Sequence, residues 1–248
     1  MAFALTINQL IPALKQPGCP ICNLQRSTVQ RFLVAFLQEN LMDQTARQVV
    51  LDSLGFCPNH TFLLVSMEMR SDGDPLGTVI LHEQINGRVQ TALRDWNARR
   101  SRGWQEKIPI PFKRPIRRIH QTTGCPICAA MLENNQRGLA SLMEELGKGS
   151  QELIDLYSQG NGLCLAHLRV GLEEMGTIYP IGAEFLIQDA LQRLETQQER
   201  MQEYLRKHNL SYQNEQITPE EERAWRESLS FFSGYSPDAF DPFSQPPV

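Results

Sequence analysis

The sequence predicts an all-α protein, and three observations carry that expectation. Apolar residues recur at helical spacing in segment after segment, and no alternating run of β-branched residues suggests a strand. Every cysteine also falls in one of two copies of a single pattern, a Cys-x-x-Cys turn followed by a Cys-x-x-His at a helix start. Cys19-Pro20-Ile21-Cys22 is followed by Cys57-Pro58-Asn59-His60, and Cys125-Pro126-Ile127-Cys128 by Cys164-Leu165-Ala166-His167. The expected architecture is two related metal-clamped helical hairpins followed by long C-terminal helices.

After Cys22, Val29, Phe32, Leu33, Phe36 and Leu37 form the stripe of an amphipathic helix. Asp43 is placed to cap a second helix running to about Leu54, where Gly55 stops it. Cys57-Pro58-Asn59-His60 then opens a third, from Thr61 to Met69. Leu76 to Arg100 reads as helix despite Gly87. Ile108 to Pro115 alternates proline with other residues and is expected to be an extended connector. In the second copy Leu139, Leu142, Met143 and Leu146 line one helix. Ser150 caps a shorter one that ends at Gly160-Asn161-Gly162, and Leu163-Cys164 leads into another.

Ile187, Leu191, Leu194, Met201 and Leu205 mark a long helix to about Lys207, and their stripe is expected to pack on the body. Thr218-Pro219-Glu220-Glu221-Glu222 is a strong helix start, ahead of Trp225, Leu229 and Phe232. The resulting division is 1–75 and 119–180 for the two repeats, 76–118 for a helix and basic connector, 181–233 for the C-terminal helices, and 234–248 for a flexible tail.

The gap inside each copy fits a hairpin: a helix of about 18 residues climbs roughly 27 Å, and an antiparallel partner of similar length brings the chain back. Ligand pairing within each copy is therefore favoured, with Cys19, Cys22, Cys57 and His60 in one site and Cys125, Cys128, Cys164 and His167 in the other. A swapped arrangement across copies is the alternative.

Three thiolates and one imidazole make a full tetrahedral set for Zn²⁺, so two structural zinc ions per chain are expected, with an iron–sulfur cluster as the rival. Cys-Pro-Ile-Cys also resembles the redox motif of thioredoxin-like enzymes, but no strand precedes it and the Cys-x-x-His halves would stay unexplained. Four protein ligands leave a zinc no open position for water, and His82, His120 and His208 fall in no catalytic spacing. Phosphate-binding loops are absent too. No enzymatic activity is expected.

With 248 residues, the chain is long enough for one large domain or two small ones. No stretch approaches the roughly 18 apolar residues of a membrane span, and the N-terminus does not read as a secretory signal. Cysteines kept as thiolate ligands fit a cytoplasmic protein. From Arg88 to Arg118, ten Lys/Arg face only Asp95 and Glu106. That segment therefore carries +8, and the rest must carry −12 of a total of −4. Arg99, Arg100, Arg102, Lys113, Arg114, Arg117 and Arg118, near Trp96, Trp104 and Phe112, suit phosphate contact and base stacking. The alternative is an internal role against the acidic body.

The tandem Cys-Pro-x-Cys and Gly-Phe-Cys-x-x-His arrangement resembles an uncharacterised prokaryotic family with this repeated signature. The resemblance covers Gly18 to His60 and Gly124 to His167. The second copy departs from it in Gly162-Leu163-Cys164-Leu165, which lacks the phenylalanine and second proline. It implies the metal sites and no activity. The function expected is a binding or regulatory adaptor with a protein partner, nucleic acid being the alternative partner.

Overall fold

The computed structural model describes residues 2–71, 73–106, 124–212 and 214–235, and among them it contains helices and no strand. In chain order these are α1 (Ala2–Leu14), α2 (Pro20–Ala35), α3 (Gln44–Asp52), α4 (Pro58–Ser71), α5 (Leu76–Glu106), α6 (Pro126–Gly147), α7 (Gln151–Gln159), α8 (Leu165–Val170), α9 (Pro180–Lys207) and α10 (Pro219–Ser233). A π-helical turn prolongs α2 over Phe36–Asn40 and another prolongs α8 over Gly171–Met175. No helix among the described residues is long and apolar enough to cross a membrane. The expected connector 108–115 and the tail beyond Tyr235 lie outside the described residues.

Two compact units divide the chain. One joins Met1–Ser27 to Leu132–Pro247, and the other comprises Thr28–Met131. The first is built on Leu10, Leu14, Ile21, Leu139, Leu142, Met143, Leu146, Tyr157 and Leu186, all nearly or fully buried. Here α9 starts very close to α6: a Cβ at Gly182 would overlap the Met143 carbonyl, so only glycine admits that approach. The second unit packs Val29, Leu33 and Phe36 of the α2 face against Val50, Leu51, Phe56, Leu64, Leu81 and Ile85. Phe36 and Phe56 meet edge to face at 5.4 Å.

Local signals account for most boundaries. Asp43 accepts hydrogen bonds from the Thr45 and Ala46 N–H groups and starts α3, and left-handed Leu54 and Gly55 follow its end. Thr218 and Glu221 form a full capping box at α10. Ser150 occupies the N-cap position of α7 as expected, but its side chain makes no capping bond.

One element was not foreseen and one expectation needs correction. The segment before Cys19 forms α1, whose Leu10 and Leu14 enter the core while Pro12 faces outward. The α9 stripe does not pack on the body as a whole: Ile187, Leu191 and Leu205 are exposed, as are Trp225, Leu229 and Phe232 on α10. Helix α9 buries Gly182, Ala183, Leu186 and Gln197 instead, and α10 buries the small residues Ala224 and Ser230. Lys207 reaches the Glu221 carboxylate at 2.6 Å across the α9–α10 pair, and Arg200 reaches Glu227 at 3.4 Å. Long polar stems and small residues thus contribute to this helix pair, beside the half-buried Leu194, Met201 and Phe231.

Candidate metal centres

The eight ligand candidates converge into two clusters, in a different combination from the favoured pairing. Cys19, Cys22, Cys164 and His167 form one, and Cys57, His60, Cys125 and Cys128 form the other. Each cluster takes its Cys-x-x-Cys from one copy and its Cys-x-x-His from the other.

Helix length explains the correction. The 16 residues of α2 and five of its π turn climb about 31 Å, whereas the nine of α3 retrace about 14 Å. Likewise α6 runs 22 residues, about 33 Å, and α7 returns nine. In neither copy does the return arm bring Cys-x-x-His back to the level of its own Cys-x-x-Cys. The first cluster therefore lies within the unit formed by Met1–Ser27 and Leu132–Pro247, and the second within Thr28–Met131.

One backbone device positions all four half-sites. The carbonyls of Cys19, Cys57, Cys125 and Cys164 accept the N–H groups of Asn23, Thr61, Ala129 and Leu168 at 3.0, 2.9, 3.1 and 2.8 Å. Each first cysteine is thus the N-cap of a helix, and the second ligand of each pair is the third residue of that helix, on the same side of its first turn. Proline fills the first helical position in α2, α4 and α6, where its missing N–H costs nothing. In α8 Leu165 holds that place and the geometry survives, so the departure of the second copy is harmless. Two helix N-termini point at each cluster, and their dipoles favour thiolate.

The donor atoms of each cluster lie within 4.8 Å of one another. In the first, His167 Nδ1 is 3.6, 3.4 and 3.2 Å from the sulfurs of Cys19, Cys22 and Cys164, and the Cys22 and Cys164 sulfurs are 3.9 Å apart. In the second, His60 Nδ1 is 3.1, 3.6 and 3.5 Å from Cys57, Cys125 and Cys128, and the Cys57 and Cys128 sulfurs are 3.8 Å apart. A tetrahedron with Zn–S bonds of 2.3 Å has S···S edges of about 3.8 Å. The donor sets therefore fit one ion each, and all six cysteines are free.

Charge within the clusters argues the same way. Cys164 is held well below the ordinary thiol range by hydrogen bonds from Cys19, Cys22 and His167, whereas Cys22 is pushed far above it by donating to Cys164 beside Cys19. Burial opposes the His167 imidazolium, but its bonds to Cys164 and Cys19 prevail and raise it to about 10. In the second cluster burial pushes Cys125 up, yet the His60 and backbone hydrogen bonds bring it down to about 6. Burial and the Cys125 charge push Cys128 up to about 12. Three sulfurs this close do not all ionise without a cation among them.

The surroundings contain residues that the sequence reading missed. Cys19 N–H donates to the Gly234 carbonyl at 3.2 Å, and a Cβ on Gly234 would run into Cys22 Sγ. Gly234, placed by sequence at the start of the tail, instead ends α10 in a left-handed turn against the cluster. Tyr157 accepts the N–H of Leu163 at 3.1 Å and so fixes the residue before Cys164. The Gln25 side-chain nitrogen lies 3.4 Å from His167 Nε2, and with the amide turned over its oxygen takes that place and accepts the ring N–H. In the second cluster His60 Nε2 is buried with no hydrogen-bond partner among the described residues. Only Gln25, one turn after Cys22, left any trace in the local sequence.

The basic segment forms no assembled site among the described residues. Arg88 pairs with Asp52 at 3.0 Å and also reaches Gln48, and Arg94 bonds Gln90. The side chains of Arg99, Arg100 and Arg102, and the whole of Lys113, Arg114, Arg117 and Arg118, lie outside the described residues.

Fold and sites together define an all-α protein with two clusters of three cysteines and a histidine, each compatible with a metal ion. The chain belongs to a family of unknown function (DUF6062), whose model matches residues 5–237. No curated protein and no solved structure matches it.

Proposed function

We propose that the protein is a zinc-binding helical adaptor, cytoplasmic and without catalysis of its own, in which two structural Zn²⁺ ions hold its two units in shape. The observation that carries this reading is the confinement of four donors, three sulfurs and one Nδ1, within 4.8 Å in each cluster. Such a set surrounds one ion and leaves no position open for a substrate or water. A multi-iron cluster would place bridging sulfides between the cysteines and force their sulfurs further apart, which supports zinc over iron–sulfur. Cys19, Cys22, Cys164 and His167 would hold one ion, and Cys57, His60, Cys125 and Cys128 the other. Free thiols in every position support a reducing compartment. The exposed Trp225, Leu229 and Phe232 of α10 support a protein as the partner.

Elemental analysis with an absorption spectrum, on protein purified without air or chelator, tests the reading. Two zinc ions per chain and no colour are expected. Iron with visible absorption would overturn it in favour of electron transfer or sensing.

A further inference from the structure

The two clusters carry identical donors in unlike surroundings. In the first, Cys19, Cys22 and Cys164 are 1%, 6% and 3% exposed, and the end of α10 lies against them. In the second, Cys128 is exposed and Cys57 half-buried, while Cys125 and His60 are buried. The two accessible sulfurs of the second cluster are also neighbours, 3.8 Å apart, although 71 residues separate them in the chain. Water and small solutes thus reach one cluster at a pair of adjacent sulfurs, and no such pair exists in the other.

Resting on the reading that both clusters hold zinc, we propose that the second is a peroxide-sensitive switch: hydrogen peroxide joins Cys57 to Cys128 and frees that cluster's ion, while the first cluster keeps its own. Cys128, the exposed sulfur, attacks a peroxide oxygen. An S–O bond forms, the O–O bond breaks, and the departing hydroxide takes a proton to become water. Cys57 then attacks the sulfenic sulfur of Cys128. The S–S bond forms, the S–O bond breaks, and the second hydroxide leaves as water with another proton. Two thiolates lose two electrons and the peroxide gains them. The sulfurs need to close from 3.8 Å to about 2 Å, a movement of two side chains on the first turns of their helices. Cys125 and His60 remain as two donors where a closed site needs four, and they do not retain the ion. A thiol reductant reverses the chemistry, and zinc rebinds.

The test uses the full chain as purified, with its zinc content measured first. Absence of zinc at this point would defeat the parent reading and this one with it. Peroxide is then titrated in while a colorimetric chelator reports released zinc. Alkylation and peptide mass mapping identify the cysteines that remain protected. The expected result is loss of one of the two ions, a Cys57–Cys128 cross-link, continued protection of Cys19, Cys22 and Cys164, and full recovery with dithiothreitol and added zinc. Simultaneous loss of both ions, earlier loss from the first cluster, or a single loss with a Cys125–Cys128 bond would each overturn the switch while leaving the structural-zinc reading intact.

Discussion

Cys22 Sγ and Cys164 Sγ lie 3.9 Å apart across 142 residues of chain, so one half of each copy completes the other copy's cluster. The consequence is a stoichiometry that depends on which cysteines are removed together. Cys19→Ser with Cys164→Ser strikes a single cluster twice and leaves one zinc per chain. Cys19→Ser with Cys57→Ser strikes both clusters and leaves none. Pairing within each copy makes the opposite forecast, and elemental analysis of the two double variants separates them.

Loss of one ligand has a regional effect. Structural zinc sites in small peptides carry apparent binding energies of about 10 kcal/mol or more, comparable with the whole stability of a domain. Cys57→Ser is therefore expected to unfold residues 28–131, the unit that contains its cluster. Hydrogen exchange read by mass spectrometry should show fast exchange in α3, α4 and α5, with protection retained around Leu139 to Leu146. Protection unchanged in both regions would show that the second cluster does not stabilise its unit.

The helices and the ligand roster were legible because both are written locally. Helical spacing, Asp43, Thr218 and the Cys-Pro turns act over one or two turns of chain, and the structure places helices where they point. Partner choice between half-sites was not legible in the same way. It depends on the ratio of α2 to α3 and of α6 to α7, and an error of one turn in a helix end changes the level at which Cys57 or Cys164 arrives. The exposed stripe on α9 was misread for a related reason. Spacing identifies an apolar face but not how far each of its residues is covered: Leu186 at the start of α9 enters the core and Leu194 and Met201 are half-buried, whereas Ile187, Leu191 and Leu205 stay exposed. The approach of Gly234 to Cys22 connects residues with no periodic or motif relation at all.

That approach supplies a third expectation. Gly234 adopts φ +82°, a conformation that costs a residue with a Cβ about 1–2 kcal/mol, and its Cβ position is occupied by Cys22 Sγ. Gly234→Ala should loosen the end of α10 and hasten zinc transfer from the first cluster to a chelator, with the second cluster's transfer unchanged. Equal rates in variant and parent would mean that α10 does not guard the site.

Glu68 illustrates stability that sits outside both clusters. It is 4% exposed, yet its carboxylate accepts the Gly77 N–H, the Thr78 N–H at 3.0 Å and the Thr78 hydroxyl at 2.7 Å. A side chain of α4 thereby satisfies the opening N–H groups of α5, where the helix dipole also favours negative charge. Glu68→Gln preserves the shape but turns one acceptor into a donor facing donors, and it removes the charge from three hydrogen bonds. The expected loss is about 2 kcal/mol in denaturant unfolding, and Glu68→Ala, which leaves all three donors unpaired, should lose more. Zinc content should stay at two ions per chain in both variants, because Glu68 is in neither cluster. A Glu68→Gln protein as stable as its parent would show that the shape of this side chain matters and its charge does not.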